Sequence, residues 1–385
     1  MEHVRFLDGL RGLACLQVVL LHIINSYFPT FIEDSGPQDG VGFRVHHSPV
    51  FFLYHGHFAV LLFFILSGYV LTRSFLRSGS IAAVDIISGR LARLYIPTTF
   101  FMLFNLVLWV CFHHAHRTVG EFFNCKWLAY AWNIDLSSTG LFREIFLNPV
   151  LFGYTSGMGG WIPWVRDYLT SSGASINGPV WSLSIEFLGS ILTLGLVRIY
   201  ARQPFLWIIA CFAGIYVLPG EMLCFVIGNV ACILQVGEKR LVRASPFAVT
   251  FAMLLLAIAI FISTTQEFNY PRNIFSATLI FFVVSQCMFL RRLLEVRIVD
   301  RIGVLSFTIY LCHWGIVIGL GPWLSFIFEP LIDVAKSRYV IAPLLLLIIF
   351  IVSDNLLFVD RYAIKFANRV KNQSKSQAAA GVYRS

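Results

Sequence analysis

Long apolar runs alternate with short polar stretches along almost the whole chain. Ten of them, 10–28, 50–71, 94–112, 180–197, 205–218, 222–236, 247–262, 274–290, 304–320 and 340–358, are long enough, or nearly so, to form membrane-spanning helices. The fifth and sixth are short, and Leu218, Pro219, Gly220 and Glu221 between them read as a turn joining two tilted or truncated helices. With the N-terminus inside, twenty-one of the 29 Lys and Arg residues fall on cytoplasmic segments and eight fall outside. The pattern therefore predicts an all-α, polytopic membrane helix bundle of about ten transmembrane helices, with both termini cytoplasmic.

One outer segment is out of proportion. Residues 113–179 contain Trp127, Trp132, Trp161, Trp164 and the polar run TSSGASING. A stretch so long and aromatic is expected to fold as a cap, with short interfacial helices near 121–132 and 142–152. His113, His114 and His116 open it; without a matching carboxylate or cysteine set they read as the solvated end of a helix rather than a metal tract. No metal is expected. The organisation is thus one membrane domain, 1–360, which includes the outer loop, and a basic cytoplasmic tail, 361–385, forming a surface helix followed by disorder.

Composition narrows the class further. The 385 residues are 58% hydrophobic and 13% charged, with a mean hydropathy of +0.76, too apolar for an ordinary soluble domain. The net charge of +9 does not indicate nucleic acid, because the basic residues are scattered between apolar runs and form no stripe. Seven of the eight cysteines fall in or beside apolar runs and serve as small packing residues. The first run carries Asp8, Arg11 and His22 and is followed by no small-residue cleavage site, so it is a retained helix and not a signal peptide.

Those three residues are the first candidate chemistry. At ~100° and ~1.5 Å per residue, the step from Arg11 to His22 returns to nearly the same helical face, ~20° off, and climbs ~16 Å. Asp8 precedes Arg11 by three residues and is placed to hold its guanidinium. Arg90 and Arg93, in GRLARLYIP, lie on the same side of the membrane just before the third run. They can be positive-inside anchors, or they can join Arg11 in a guanidinium cluster that binds phosphates. An acyl-CoA held there by its phosphates would need a pantetheine arm of about the Arg11–His22 rise to bring its thioester inward. A neutral imidazole at that depth suits a general base or an acyl-accepting nucleophile.

Other motifs carry two readings each. In FFILSGY (63–69), Ser67 and Gly68 either allow close helix packing or let a ligand approach the backbone. In INGPVWSLSIEF (176–187), Asn177 can cap a helix entered from outside, Pro179 fits its first turn, Trp181 marks the interface, and Ser182 and Glu186 follow. A carboxylate two turns into a membrane helix needs a cause. Glu186 is either one half of an ion pair or an acid facing a cavity, where it activates an acceptor hydroxyl. In LSFTIYLCHWG, Tyr310 and His313 belong either to the core or to the site.

Taken together, LDGLRGLA with its R-x10-H spacing, FFILSGY, the R-x-x-R of Arg90 and Arg93, NGPVWSLSIE and YLCHW resemble acyltransferase family 3, in order and over nearly the whole chain. The family's integral membrane proteins O-acylate, often O-acetylate, extracytoplasmic polysaccharides and other hydroxylated molecules. The resemblance implies His22 as the catalytic histidine, with Arg11, Arg90 and Arg93 towards the CoA donor. It also implies Glu186 and the WSLSIE segment towards the acceptor or reaction centre. Phe187 stands where many members have a second acid, and Gly89 where many have a further basic residue.

The expectation is therefore an O-acetyltransferase of the plasma (inner) membrane that uses acetyl-CoA or another acyl-CoA as donor. His22 and Glu186 are its catalytic residues, and Arg11, Ser67, Gly68, Arg90 and Arg93 bind the donor. Asp8, Trp181, Ser182, Tyr310 and His313 support them. Its partners are acyl-CoA, a hydroxylated acceptor of glycan type and the lipid bilayer, with no nucleic acid; self-association is left open. The rival class is a transporter or flippase for a glycolipid or small acid built on the same buried His, Arg and Glu, although no internal repeat supports it.

Overall fold

The structure, a computed structural model, describes residues 5–32, 40–78, 82–155, 169–234, 245–264 and 269–382, with side chains described as far as residue 370. Among these residues there is no strand. The principal helices are α1 (Arg5–Tyr27), α2 (Gly56–Ser78), α3 (Ala83–Phe122), α4 (Trp181–Arg202), α5 (Pro204–Val217) and α6 (Gly220–Ile233), followed by α7 (Pro246–Thr264), α8 (Tyr270–Gln286), α9 (Arg297–Gly315), α10 (Val334–Asn355) and α11 (Leu357–Val382). As far as they are described, the ten apolar runs each fall mainly on one of α1 to α10. Seven described stretches are long and apolar enough to cross a membrane, and they contain α1, α2, α3, α4, α7, α9 and α10. The other three runs form helices of 14, 14 and 17 residues, α5, α6 and α8, shorter than the ~20 residues a straight crossing takes. The chain is a polytopic helical bundle.

Two close crossings hold the centre together. α1 runs parallel to α9 and to its continuation, Ile316–Leu320: Cys15 Sγ donates to the Ser306 carbonyl at 3.1 Å, and Tyr27 Oη donates to the Val317 carbonyl at 2.9 Å. Their backbones meet at Gly12 and Gly303, where a Cβ on Gly12 would lie 2.7 Å from the Gly303 nitrogen. Small residues permit such approach where no hydrophobic force drives helices together in lipid. α2 and α6 cross in the same way at Gly68 and Gly228.

That crossing corrects the assignment of Gly68 to the donor site. A Cβ there would sit 2.4 Å from the Phe225 carbonyl oxygen, so Gly68 faces α6 and lines none of the cavities described below. Gly68→Val should force the two backbones apart and destabilise the protein by about 1–3 kcal/mol, the usual cost of overpacking. A fall in the thermal midpoint of the detergent-solubilised protein measures it; an unchanged midpoint contradicts the packing role.

The outer cap begins later than the hydropathy suggests. Nothing breaks the helix after residue 112, and α3 continues to Phe122 before Asn124, at φ 53°, turns the chain left-handed. His113, His114 and His116 therefore lie on α3; His113 Nδ1 bonds to the Trp109 carbonyl at 2.9 Å. Short helices follow at Lys126–Tyr130, Ser138–Phe142 and Arg143–Phe152, near the expected places. Glu144 anchors the last of them, accepting from Asn148 Nδ2 at 2.7 Å, Thr170 Oγ1 at 2.9 Å and Tyr154 Oη at 3.2 Å. Burial, and then the Glu144 charge, hold the Tyr154 phenol well above its ordinary range, which keeps it a donor to that carboxylate. Trp161 and Trp164 in the cap, and Lys239, Arg240 and Arg243 in the inner loop, lie outside the described residues.

The boundary at 360 falls inside α11. Ala363 and Ala367 are buried against α3, so the first half of this helix belongs to the bundle. Arg361, Lys365 and Arg369 alternate with them, which makes the segment read as a basic tail in sequence.

Candidate active site

Four helices bring the predicted cations and the acid together. Arg11 on α1, Ser67 on α2, Arg90 and Arg93 on α3, Ser182 and Glu186 on α4, and Tyr310 on α9 line one cavity. A second cavity shares the three arginines, Ser67 and Glu186, and continues past Ser74 on α2 to Asn368 on α11. Glu186 is ion-paired with Arg90 and accepts from Ser67 Oγ at 3.0 Å, while Arg90 Nε donates to Ser190 Oγ at 3.1 Å. Among the described residues, Arg11 and Arg93 make no hydrogen bond or ion pair. Asp360, at the start of α11, faces both at longer range. Asp8 lies in the first turn of α1, with its carbonyl against Gly303.

His22 is not in this chamber, which lies towards the N-terminal end of α1 and is the inner of two along that helix. It lines a larger one, about 390 Å³, with His57, Trp127, Trp181, Tyr310 and Trp314. That volume is within the ~300–1,000 Å³ usual for small-molecule sites. The His22 ring stacks on Trp127 at 5.7 Å and meets the edge of Trp314 at 5.3 Å, so indoles fix it on two sides. Its Nδ1 is 3.1 Å from Nε2 of the buried His313. Val60 and Tyr310 line both chambers and form the wall between them, where Tyr310 Oη meets Ser182 Oγ at 2.8 Å and also bonds to the Pro179 carbonyl. Among the described residues, the buried indole Nε1 of Trp314 has no hydrogen-bond partner.

The INGPVWSLSIEF segment differs most from its expected placement. Asn177 makes no side-chain cap; its Nδ2 donates to the Leu311 carbonyl at 2.8 Å, and Ile176 and Asn177 are fully buried. The outer chain thus enters the bundle before α4 begins, and its irregular backbone is satisfied by α9 and by Trp132 Nε1, which donates to the Ile176 carbonyl at 2.9 Å. Irregular backbone is tolerated at membrane depth only when protein buries it in this way. Trp181 consequently lines the chamber beside His22 instead of marking an interface. Glu186, another ~7.5 Å along the helix, reaches the guanidinium cluster and lines its cavity. A carboxylate there is stabilised by the nearest cation, and Arg90 on the neighbouring helix supplies it.

The sequence does not mark Trp127, His57, Ser190 or Asp360 as site residues; Trp127 is legible only as one of the aromatics of the long segment 113–179. Trp127 and His57 are contributed by segments outside the long apolar helices or at their ends, and no motif spacing connects them to His22. Among the described residues, no three His, Cys, Asp or Glu gather as a metal site.

No curated protein and no solved structure matches this chain. The family model described as an acyltransferase domain matches residues 4–354, which spans α1 to the last turn of α10 and every lining residue of both chambers except Ile364, Ala367 and Asn368. The chain belongs to acyltransferase family 3 and is a multi-pass membrane acyltransferase.

Proposed function

We propose that the protein takes an acyl group, acetyl in the simplest case, from cytoplasmic acyl-CoA and transfers it to a hydroxyl of a glycan or glycolipid held in the outer chamber. The membrane is the plasma (inner) membrane, crossed about ten times with both termini cytoplasmic. The observation that carries this reading is the stacking of two chambers across one wall: unpartnered guanidiniums on one side, a histidine among tryptophans on the other.

Arg11 and Arg93 bind the CoA phosphates, while Glu186 occupies Arg90 and holds it in place beside Ser67. The pantetheine arm extends past Tyr310 and Ser182 towards His22. Nε2 of His22 accepts the acceptor hydroxyl's proton as that oxygen attacks the thioester carbonyl. The tetrahedral adduct then expels the CoA thiolate, which takes the proton back from the imidazolium. Trp127, Trp181 and Trp314 offer flat faces for a sugar ring, with Asn25, His57 and Ser172 as polar contacts around it.

The donor half is tested by equilibrium binding of CoA to the purified protein. Arg11→Ala and Arg93→Ala should each weaken binding about 10- to 100-fold, in line with ~1.5–3 kcal/mol for hydrogen bonds to charged groups. The loss should shrink as salt rises. Unchanged affinity in both variants removes the inner chamber as the donor site. Thioester turnover by the same protein separates a transferase from a transporter, which would show none.

A further inference from the structure

We infer that His313 is a positioning residue that fixes the tautomer of His22 and so aims a bare Nε2 lone pair into the outer chamber. The inference concerns the proton on His22; its mechanistic use rests on the reading of His22 as the reacting base.

The direction of each hydrogen bond follows from one end of the chain. Nδ1 of His313 lies 2.8 Å from the Tyr310 carbonyl oxygen and 3.1 Å from that of Ile309. A carbonyl can only accept, so this nitrogen carries the proton, and in a neutral imidazole Nε2 of His313 is left as an acceptor. That atom is 3.1 Å from Nδ1 of His22. Two lone pairs facing each other beside the fully buried His313 would leave both unsatisfied, so the proton between them belongs to His22 Nδ1. Nε2 of His22 is then the unprotonated nitrogen. It has no hydrogen-bond partner among the described residues, and the ring it belongs to is half-buried and lines the outer chamber.

The opposite tautomer would place a hydrogen on Nε2 and convert the acceptor into a donor, unable to take a hydroxyl proton. The Trp127 and Trp314 rings resist a ring flip that would exchange the two nitrogens. α9 therefore does more than pack. Its parallel course with α1, seen at Cys15 with Ser306 and, just beyond its end, at Tyr27 with Val317, includes His22 with His313. The backbone carbonyls of Tyr310 and Ile309 thereby set the protonation pattern of a ring on another helix.

Solid-state 15N spectra of the full-length, histidine-labelled protein in bilayers read the tautomer directly, with His22→Ala assigning the signal. The expected wild-type spectrum shows His22 protonated at Nδ1 and bare at Nε2. In His313→Leu the His22 signals should split between tautomers or shift to the Nε2–H form, and acyl transfer should fall on the order of 10²-fold or more, as when the residue that orients a catalytic histidine is lost. His313→Gln offers a carbonyl oxygen to the same Nδ1–H and should restore the wild-type pattern and most of the activity. A wild-type signal with Nε2 protonated, or a His313→Leu protein with the wild-type spectrum, overturns the inference. If His313→Leu does not fold, the wild-type and His313→Gln spectra still decide it. If His22→Ala retains transferase activity while the wild-type tautomer is as stated, the reading of His22 as base fails and the tautomer assignment stands.

Discussion

His22→Ala, in protein that is folded and inserted, is expected to lose acyl transfer by at least 10²- to 10⁴-fold, roughly the range that general acid–base catalysis supplies. The measurement is transfer of a radiolabelled acetyl group from acetyl-CoA to membranes carrying the acceptor, with CoA binding recorded in parallel. Because His22 lies in the outer chamber and the free guanidiniums lie in the inner one, the variant should still bind CoA with near wild-type affinity. That split is specific to the two-chamber arrangement. Activity within about threefold of wild type would exclude His22 from the reaction, and loss of CoA binding together with activity would indicate a collapsed fold instead of a missing base.

The second large effect is on stability. Glu186→Gln removes the charge that faces Arg90 and should destabilise the protein by about 3–5 kcal/mol, the usual cost of breaking a buried ion pair from one side. The value should fall near the lower end, because the side chains are 14% exposed and the cavity admits water. Arg90→Met alone should cost a similar amount, since Glu186 is then left uncompensated. The double variant Arg90→Met with Glu186→Leu should recover most of the loss, because an apolar pair of similar volume is often neutral in such a place. Thermal unfolding of the wild type, Arg90→Met, Glu186→Leu and the double variant gives the cycle. Additive losses would mean that the two side chains do not act as a pair and would favour the other reading of Glu186, an acid that serves a hydroxyl.

These two predictions differ in how far they were readable before the fold. The Arg11–His22 stripe is a local property: two residues on one helix, separated by three helical turns, need only helical geometry to be placed. The family was legible for a related reason, since its motifs are short and each lies on one element. Glu186 was legible as an expensive carboxylate, and an ion pair was one of its two readings. Its partner was not legible, because the depth of Glu186 depends on where α4 starts, and that is decided by the burial of residues 175–180 against α9. Gly68 shows the same limit from the other direction. A small residue reads alike whether a ligand or a helix occupies the space beside it, and only the position of Phe225 shows that it is a helix.

What the amino-acid order determines by itself is the helical, membrane-embedded class, the family, and the ladder of Arg11 and His22 along α1. Each follows from hydropathy, helical repeat or motif, which act over a few residues. What the tertiary structure decides is which distant residues share a chamber. The pairing of His22 with His313 spans 291 positions, and that of Arg90 with Glu186 spans 96. No local periodicity encodes such contacts. They arise from glycine-mediated crossings of α1 with α9 and of α2 with α6, and from the need of every buried charge and backbone group to find a partner where water is absent.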